Sequence, residues 1–110
     1  MSYSISGTTI TLTRGDTFEA KVSIMRNDGT PYIPHEGDRI RFAMKENYNY
    51  SRPLILKDIP IDTMMLVINP EDTENLSFGK YIYDIQITKE NGKVDTFITK
   101  ATFRITEEVY

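Results

Sequence analysis

The sequence predicts an all-β domain built as two antiparallel sheets packed face to face. Three observations carry that reading. The 110 residues include 14 Ile, 13 Thr, 7 Tyr and 5 Phe, and β-branched and aromatic side chains suit a pleated, half-buried surface. Apolar and polar residues alternate in most segments, and none sustains the i, i+3, i+4, i+7 spacing of an amphipathic helix. Turn residues interrupt the chain at short intervals, as a sandwich requires. With 39% hydrophobic and 26% charged residues, residues 1–110 read as a single domain large enough for one core.

The elements follow in order. The first strand covers Ile5 to Thr13, with Ile10 and Leu12 on one face and Thr9, Thr11 and Thr13 on the other. Arg14-Gly15-Asp16 turns the chain. The second strand runs from Thr17 to Met25. Its Phe18, Ala20, Val22 and Ile24 point one way and Glu19, Lys21 and Ser23 the other, so one face is wet. Asn27-Asp28-Gly29 is a turn, and Pro31, Pro34 and Gly37 mark a loop rather than a paired strand. After Gly37-Asp38 the third strand turns Ile40, Phe42 and Met44 inward and Arg39, Arg41 and Lys45 outward. A polar loop from Asn47 to Arg52 precedes short strands at Leu54–Lys57 and Met64–Ile68.

One short helical turn is expected near 70–76. Asn69 can cap it, Pro70 suits its first position, and Glu71 and Asp72 suit the positive end of its dipole; Gly79 stops it. Tyr81, Tyr83, Ile85 and Ile87 then alternate with polar or outward residues. Glu90-Asn91-Gly92-Lys93 predicts a hairpin, because Asn-Gly accepts positive φ at both central positions. In the last strand, Lys93 to Thr106, Phe97, Ala101, Phe103 and Ile105 share one phase while Val94 and Ile98 take the other. A bulge near Thr99-Lys100 reconciles them. About seven strands and one helical turn in this length predict an immunoglobulin-like sandwich. Tyr81, at the start of the sixth strand, is the candidate for the tyrosine corner of such folds.

The composition excludes much chemistry. Cys is absent and His occurs once, so no thiol nucleophile, disulfide or zinc finger can form. The net charge is −3, and Lys and Arg are scattered; Arg39 and Arg41 form the only dense basic spot, so no nucleic-acid partner is expected. The N-terminal stretch lacks a secretory pattern and no apolar run suits a membrane span, so synthesis and folding in a cytoplasm are expected.

Individual motifs have plain readings. Arg14-Gly15-Asp16 spells an adhesion tripeptide but reads as a turn. Asn49-Tyr50-Ser51 and Asn75-Leu76-Ser77 match the glycosylation sequon, a chance match in a chain without a signal peptide. Glu71, Asp72 and Glu74 raise a calcium site, but helix-start acids account for them and the EF-hand spacing is missing. His35, between Pro34 and Glu36, reads as a solvated loop residue. No catalytic residue, metal ligand or cofactor is expected. The residues singled out for binding are Tyr32, Tyr48 and Tyr50, with Tyr110 as an addition, because exposed tyrosines supply rigid contact area with a polar tip. Equally, these rings can cover a sheet edge of their own domain.

A resemblance extends this reading. Leu66-Val67-Ile68-Asn69-Pro70-Glu71-Asp72-Thr73, Leu76-Ser77-Phe78-Gly79-Lys80-Tyr81-Ile82-Tyr83-Asp84-Ile85-Gln86, Asn91-Gly92-Lys93-Val94-Asp95-Thr96 and Phe103-Arg104-Ile105-Thr106-Glu107-Glu108-Val109 resemble small proteins of tailed phages and prophages of Gram-positive bacteria. Ile10 to Thr17 and Gly37 to Phe42 fit the same pattern. These proteins are similar to the immunoglobulin-like N-terminal domain of phage baseplate upper proteins. The resemblance implies a non-enzymatic, tail-associated virion protein that contacts other phage structural proteins or itself. The alternative expectation is a module that binds cell-surface carbohydrate through Tyr32, Tyr48 and Tyr50.

Overall fold

The computed structural model describes residues 3–6, 8–25, 28–47 and 52–107. The chain is mostly β, as expected. It differs from expectation in element count: ten described strands in three sheets, where the sequence predicts about seven in two.

The extra strands come from reversals and breaks inside predicted ones. β1 (Tyr3–Ser6) and β2 (Thr9–Thr13) form an antiparallel hairpin in which Ile5 pairs with Ile10. Alternation fixes which side chains share a face but does not show where a chain reverses, so this hairpin reads in sequence as one strand. The predicted second strand divides into β3 (Phe18–Lys21) and β4 (Ile24–Met25). Between them the Val22 N–H donates to the Met64 carbonyl (2.7 Å). β4 pairs with β5 (Pro31–Tyr32), a segment predicted as loop. Pro31 is tolerated there as the first residue of its strand.

The remaining elements lie close to expectation. They are β6 (Arg39–Lys45), β7 (Ile55–Ile59), β8 (Met65–Ile68), α1 (Pro70–Thr73), β9 (Gly79–Thr88) and β10 (Val94–Thr106). α1 is a single turn with Pro70 leading; the Asn69 N–H donates to Asp72 Oδ2 (2.8 Å). It ends at Thr73, before Gly79, which instead opens β9. The β9–β10 turn is not the expected one. Gly92 has φ +88°, but Asn91 is not among the positive-φ residues. The Gly92 N–H donates to the Lys89 carbonyl and the Lys89 N–H to the Lys93 carbonyl, both at 2.8 Å. Glu90-Asn91-Gly92 therefore forms a three-residue loop, with only its last residue in the left-handed region. The register of β10 on β9 slips between Thr96 and Ile98 and again between Ile98 and Ala101. The second slip is the bulge expected near Thr99-Lys100. The side chains of Phe97 and Ile98 lie outside the described residues.

One six-stranded sheet, ordered β1-β2-β10-β9-β6-β7, curls into a half-barrel. Within it β2 runs parallel to β10, Phe103 beside Ile10. β3 and β8 pair separately. The core lies on the concave side, where Leu12, Phe42, Met44, Phe103 and Ile105 meet Phe18, Leu66 and Ile68. Phe42, Tyr83 and Phe103 form its aromatic centre, with centroids 5.2 Å apart for Phe42–Tyr83 and 6.2 Å for the other two pairs. Each large apolar side chain buried this way stabilises the fold by roughly 1.5–3 kcal/mol. The Tyr83 hydroxyl donates to the Thr8 carbonyl, tying the sheet centre to the β1–β2 turn.

Candidate functional site

Asp38 and Thr73 are the buried polar side chains among the described residues. Both accept hydrogen bonds from backbone N–H groups distant in sequence and so hold loops in place.

Asp38 sits just before β6, after a turn in which Gly37 has φ +99°. Its side chain is fully covered. The Tyr32 hydroxyl donates to Oδ2 (2.7 Å), the His35 N–H donates to the same oxygen (3.2 Å), and the Glu90 N–H donates to Oδ1 (3.2 Å). His35 Nδ1 lies 3.4 Å from Oδ2, its ring 69% exposed. The Tyr32 hydrogen bond, aided by the two backbone N–H groups and the nearby imidazole, outweighs burial and holds the Asp38 carboxyl below its ordinary pKa. A carboxylate so surrounded stays charged at neutral pH. It staples the 31–38 segment to the β9–β10 turn. Glu90 lies 52 residues away, and no local signal in the sequence announces this contact.

The sequence-predicted binding residues meet different outcomes. Tyr48 and Tyr50, with Tyr110, lie outside the described residues. Tyr32 is half-buried on β5, its hydroxyl engaged by Asp38. Lys89 Nζ stands 5.3 Å from its ring centroid, and the His35 ring meets it edge-on at 6.0 Å. Lys89, Glu90, Asn91, His35 and Asp38 line an open depression beside it. His35 is exposed, as expected, but has Asp38 as a neighbour.

Arg14-Gly15-Asp16 is a turn, with Gly15 at φ +83°. Its Arg14 guanidinium packs 4.2 Å over the Phe78 ring and donates to the Leu76 carbonyl (3.3 Å). The Gly15 N–H donates to Thr73 Oγ1 (3.0 Å), so buried Thr73 fixes this turn against α1. Of the acidic cluster, Asp72 accepts from the Asn69 N–H and pairs with Lys57 Nζ at 2.7 Å. Among the described residues no three His, Cys, Asp or Glu side chains are grouped to hold a metal, and no helix is long and apolar enough to cross a membrane.

Tyr81 donates its hydroxyl to the Ser77 carbonyl (2.6 Å), four residues upstream. Burial is the main cause that raises its pKa. No protein-family model matches the chain, and no curated protein matches it.

Proposed function

We propose that this chain is a non-enzymatic structural protein of a phage or prophage tail, acting in the virion through contacts with other tail or baseplate proteins or with itself. The proposed architecture is an immunoglobulin-like sandwich. The β10-β9-β6-β7 run matches the G-F-C-C′ order of such folds, and the separate β3–β8 pair matches their B–E pair. The Tyr81–Ser77 hydrogen bond supports the same reading.

The observation that carries the functional reading is the use of the polar residues. Asp38, Thr73, Arg14 and Asp72 all stabilise turns and loops, which suits a scaffold presenting its surface. The long final hairpin adds to this. β2 covers β10 only at Phe103–Thr106, so among the described pairings Val94–Thr102 meets β9 alone. That leaves an edge that a partner strand can extend.

Size-exclusion chromatography with light scattering, joined to pull-down from phage-producing lysate, tests the proposal. Defined oligomers or capture of an identified tail or baseplate protein are expected. A strict monomer that captures neither would overturn it. Binding to host wall polysaccharide that is lost in Tyr48→Ala and Tyr50→Ala would point instead to the carbohydrate-binding alternative.

A further inference from the structure

The convex face of the six-stranded sheet takes no part in the contacts above. Its outward positions carry an unusual charge. Among the described side chains, Arg39, Arg41, Lys45, Lys80 and Arg104 stand on this face. Among the described side chains of this face, Asp58 and Asp84 oppose them in charge. Five cations against two acids leave a net +3 among the described side chains of this face, while the whole chain carries −3. Such segregation steers a negatively charged partner to one face and repels it from the others.

The face also has a focal point. Arg39 and Arg41 stand two residues apart on β6, and their cross-strand neighbours on β9 are Thr88 and Gln86. These four side chains line one open depression. Asp58 Oδ1 lies 3.8 Å from Arg39 Nη2 and 3.4 Å from Arg41 Nε, with the three side chains 66%, 46% and 67% exposed in the order Arg39, Arg41, Asp58. One carboxylate oxygen thus serves two guanidiniums, each with five N–H donors. Pairs this exposed are weak and exchange readily.

We propose that this face docks an acidic segment of a partner protein. Arg39 and Arg41 receive a carboxylate in the depression, and Gln86 and Thr88 complete its hydrogen bonds. Guanidinium forks match carboxylates in a bidentate fashion, and arginine is prominent among interface anchors. A protein segment fits better than a nucleic acid. Asp84 stands between the arginine pair and Lys80 on β9, interrupting the basic stripe that a phosphodiester backbone would follow. A protein surface can set its acids against the cations and avoid Asp58 and Asp84. This inference rests on the reading of the chain as a protein-docking scaffold and names the chemistry of its partner.

The test is NMR titration of the ¹⁵N-labelled chain with a glutamate peptide of about ten residues, at an ionic strength low enough to leave exposed charges unscreened. A glutamine peptide, a single-stranded oligothymidylate and inorganic phosphate serve as comparisons. Amide shifts centred on Arg39, Arg41, Gln86 and Thr88 are expected with the glutamate peptide. They should weaken about tenfold in an Arg39→Gln/Arg41→Gln double variant and little in Lys93→Gln, which lies off this face. Both variants change exposed residues, and circular dichroism confirms their folding. No binding, or shifts centred elsewhere, would overturn the proposal. Equal or tighter binding of the oligothymidylate, or saturation of the same site by phosphate alone, would also overturn it. A chain that ignores the glutamate peptide yet captures a tail protein through another face would sink this inference and leave the scaffold reading standing.

Discussion

Replacing Asp38 should be the most damaging single change at a polar residue. Asp38→Ala leaves the Tyr32 hydroxyl and the His35 and Glu90 N–H groups without their shared acceptor. Hydrogen bonds to a charged group contribute about 1.5–3 kcal/mol each. Three cannot simply be added, because water can reach the exposed loop once the carboxylate is gone. The expected loss is about 2–4 kcal/mol. For a domain of this length, that lowers Tm by roughly 10–20 °C. Asp38→Asn keeps one acceptor oxygen and should cost about half as much, roughly 1–2 kcal/mol. Urea denaturation followed by circular dichroism at pH 7 measures each value. A cycle with Tyr32→Phe isolates the pairwise term, expected at about 1 kcal/mol or more.

The acid side supplies a second readout. The Asp38 carboxyl titrates below its ordinary value of 3.8 in the folded chain. Its stabilisation is therefore present above that value and lost as pH falls through the lower folded one. Asp38→Asn should flatten this part of the stability–pH curve. An Asp38→Ala protein within about 0.5 kcal/mol of the parent, as ordinary surface changes are, would refute the reasoning.

Other predictions concern the same framework. Gly37→Ala should destabilise by about 1–3 kcal/mol, since it forces φ +99° on an L residue and sets a Cβ 2.9–3.1 Å from the Glu90 side chain. Gly29→Ala, at φ +87° with nothing within 4 Å, should cost less. Thermal melts compare the two. Thr73→Val should cost about 1–2 kcal/mol by depriving the Gly15 N–H of its acceptor, read in urea titrations. Phe103→Ala should cost about 3–5 kcal/mol by opening the aromatic centre, and a smaller loss would show that the core can collapse around the gap. Burial raises the Tyr83 pKa to about 12. Its stabilising contribution is present below the ordinary value of 10 and lost as pH rises from there toward 12. Ultraviolet titration should show a late tyrosinate step that disappears in Tyr83→Phe.

What the sequence determined by itself is the pattern of faces. Ile40, Phe42 and Met44 on β6, and Tyr81, Tyr83, Ile85 and Ile87 on β9, are buried as alternation requires. The α1 turn follows from Asn69, Pro70 and the acids after it, and the β10 bulge from a change of phase. Each is a local property, written within a few residues of where it acts. Tertiary structure alone decided the rest. The apolar phase shifts between Ile5 and Ile10, but that shift alone does not announce a reversal, and only the pairing of β1 with β2 shows one. β4 and β5 become strands only because they meet each other. Asn91 keeps negative φ in a three-residue loop whose Glu90 N–H reaches Asp38. The charge on the convex face is equally invisible in sequence. Arg39, Lys80 and Arg104 are far apart along the chain, and only strand order brings them to one side. Local steric preference and solvent partition choose faces and turns; which strands become neighbours depends on closing long loops around one shared core.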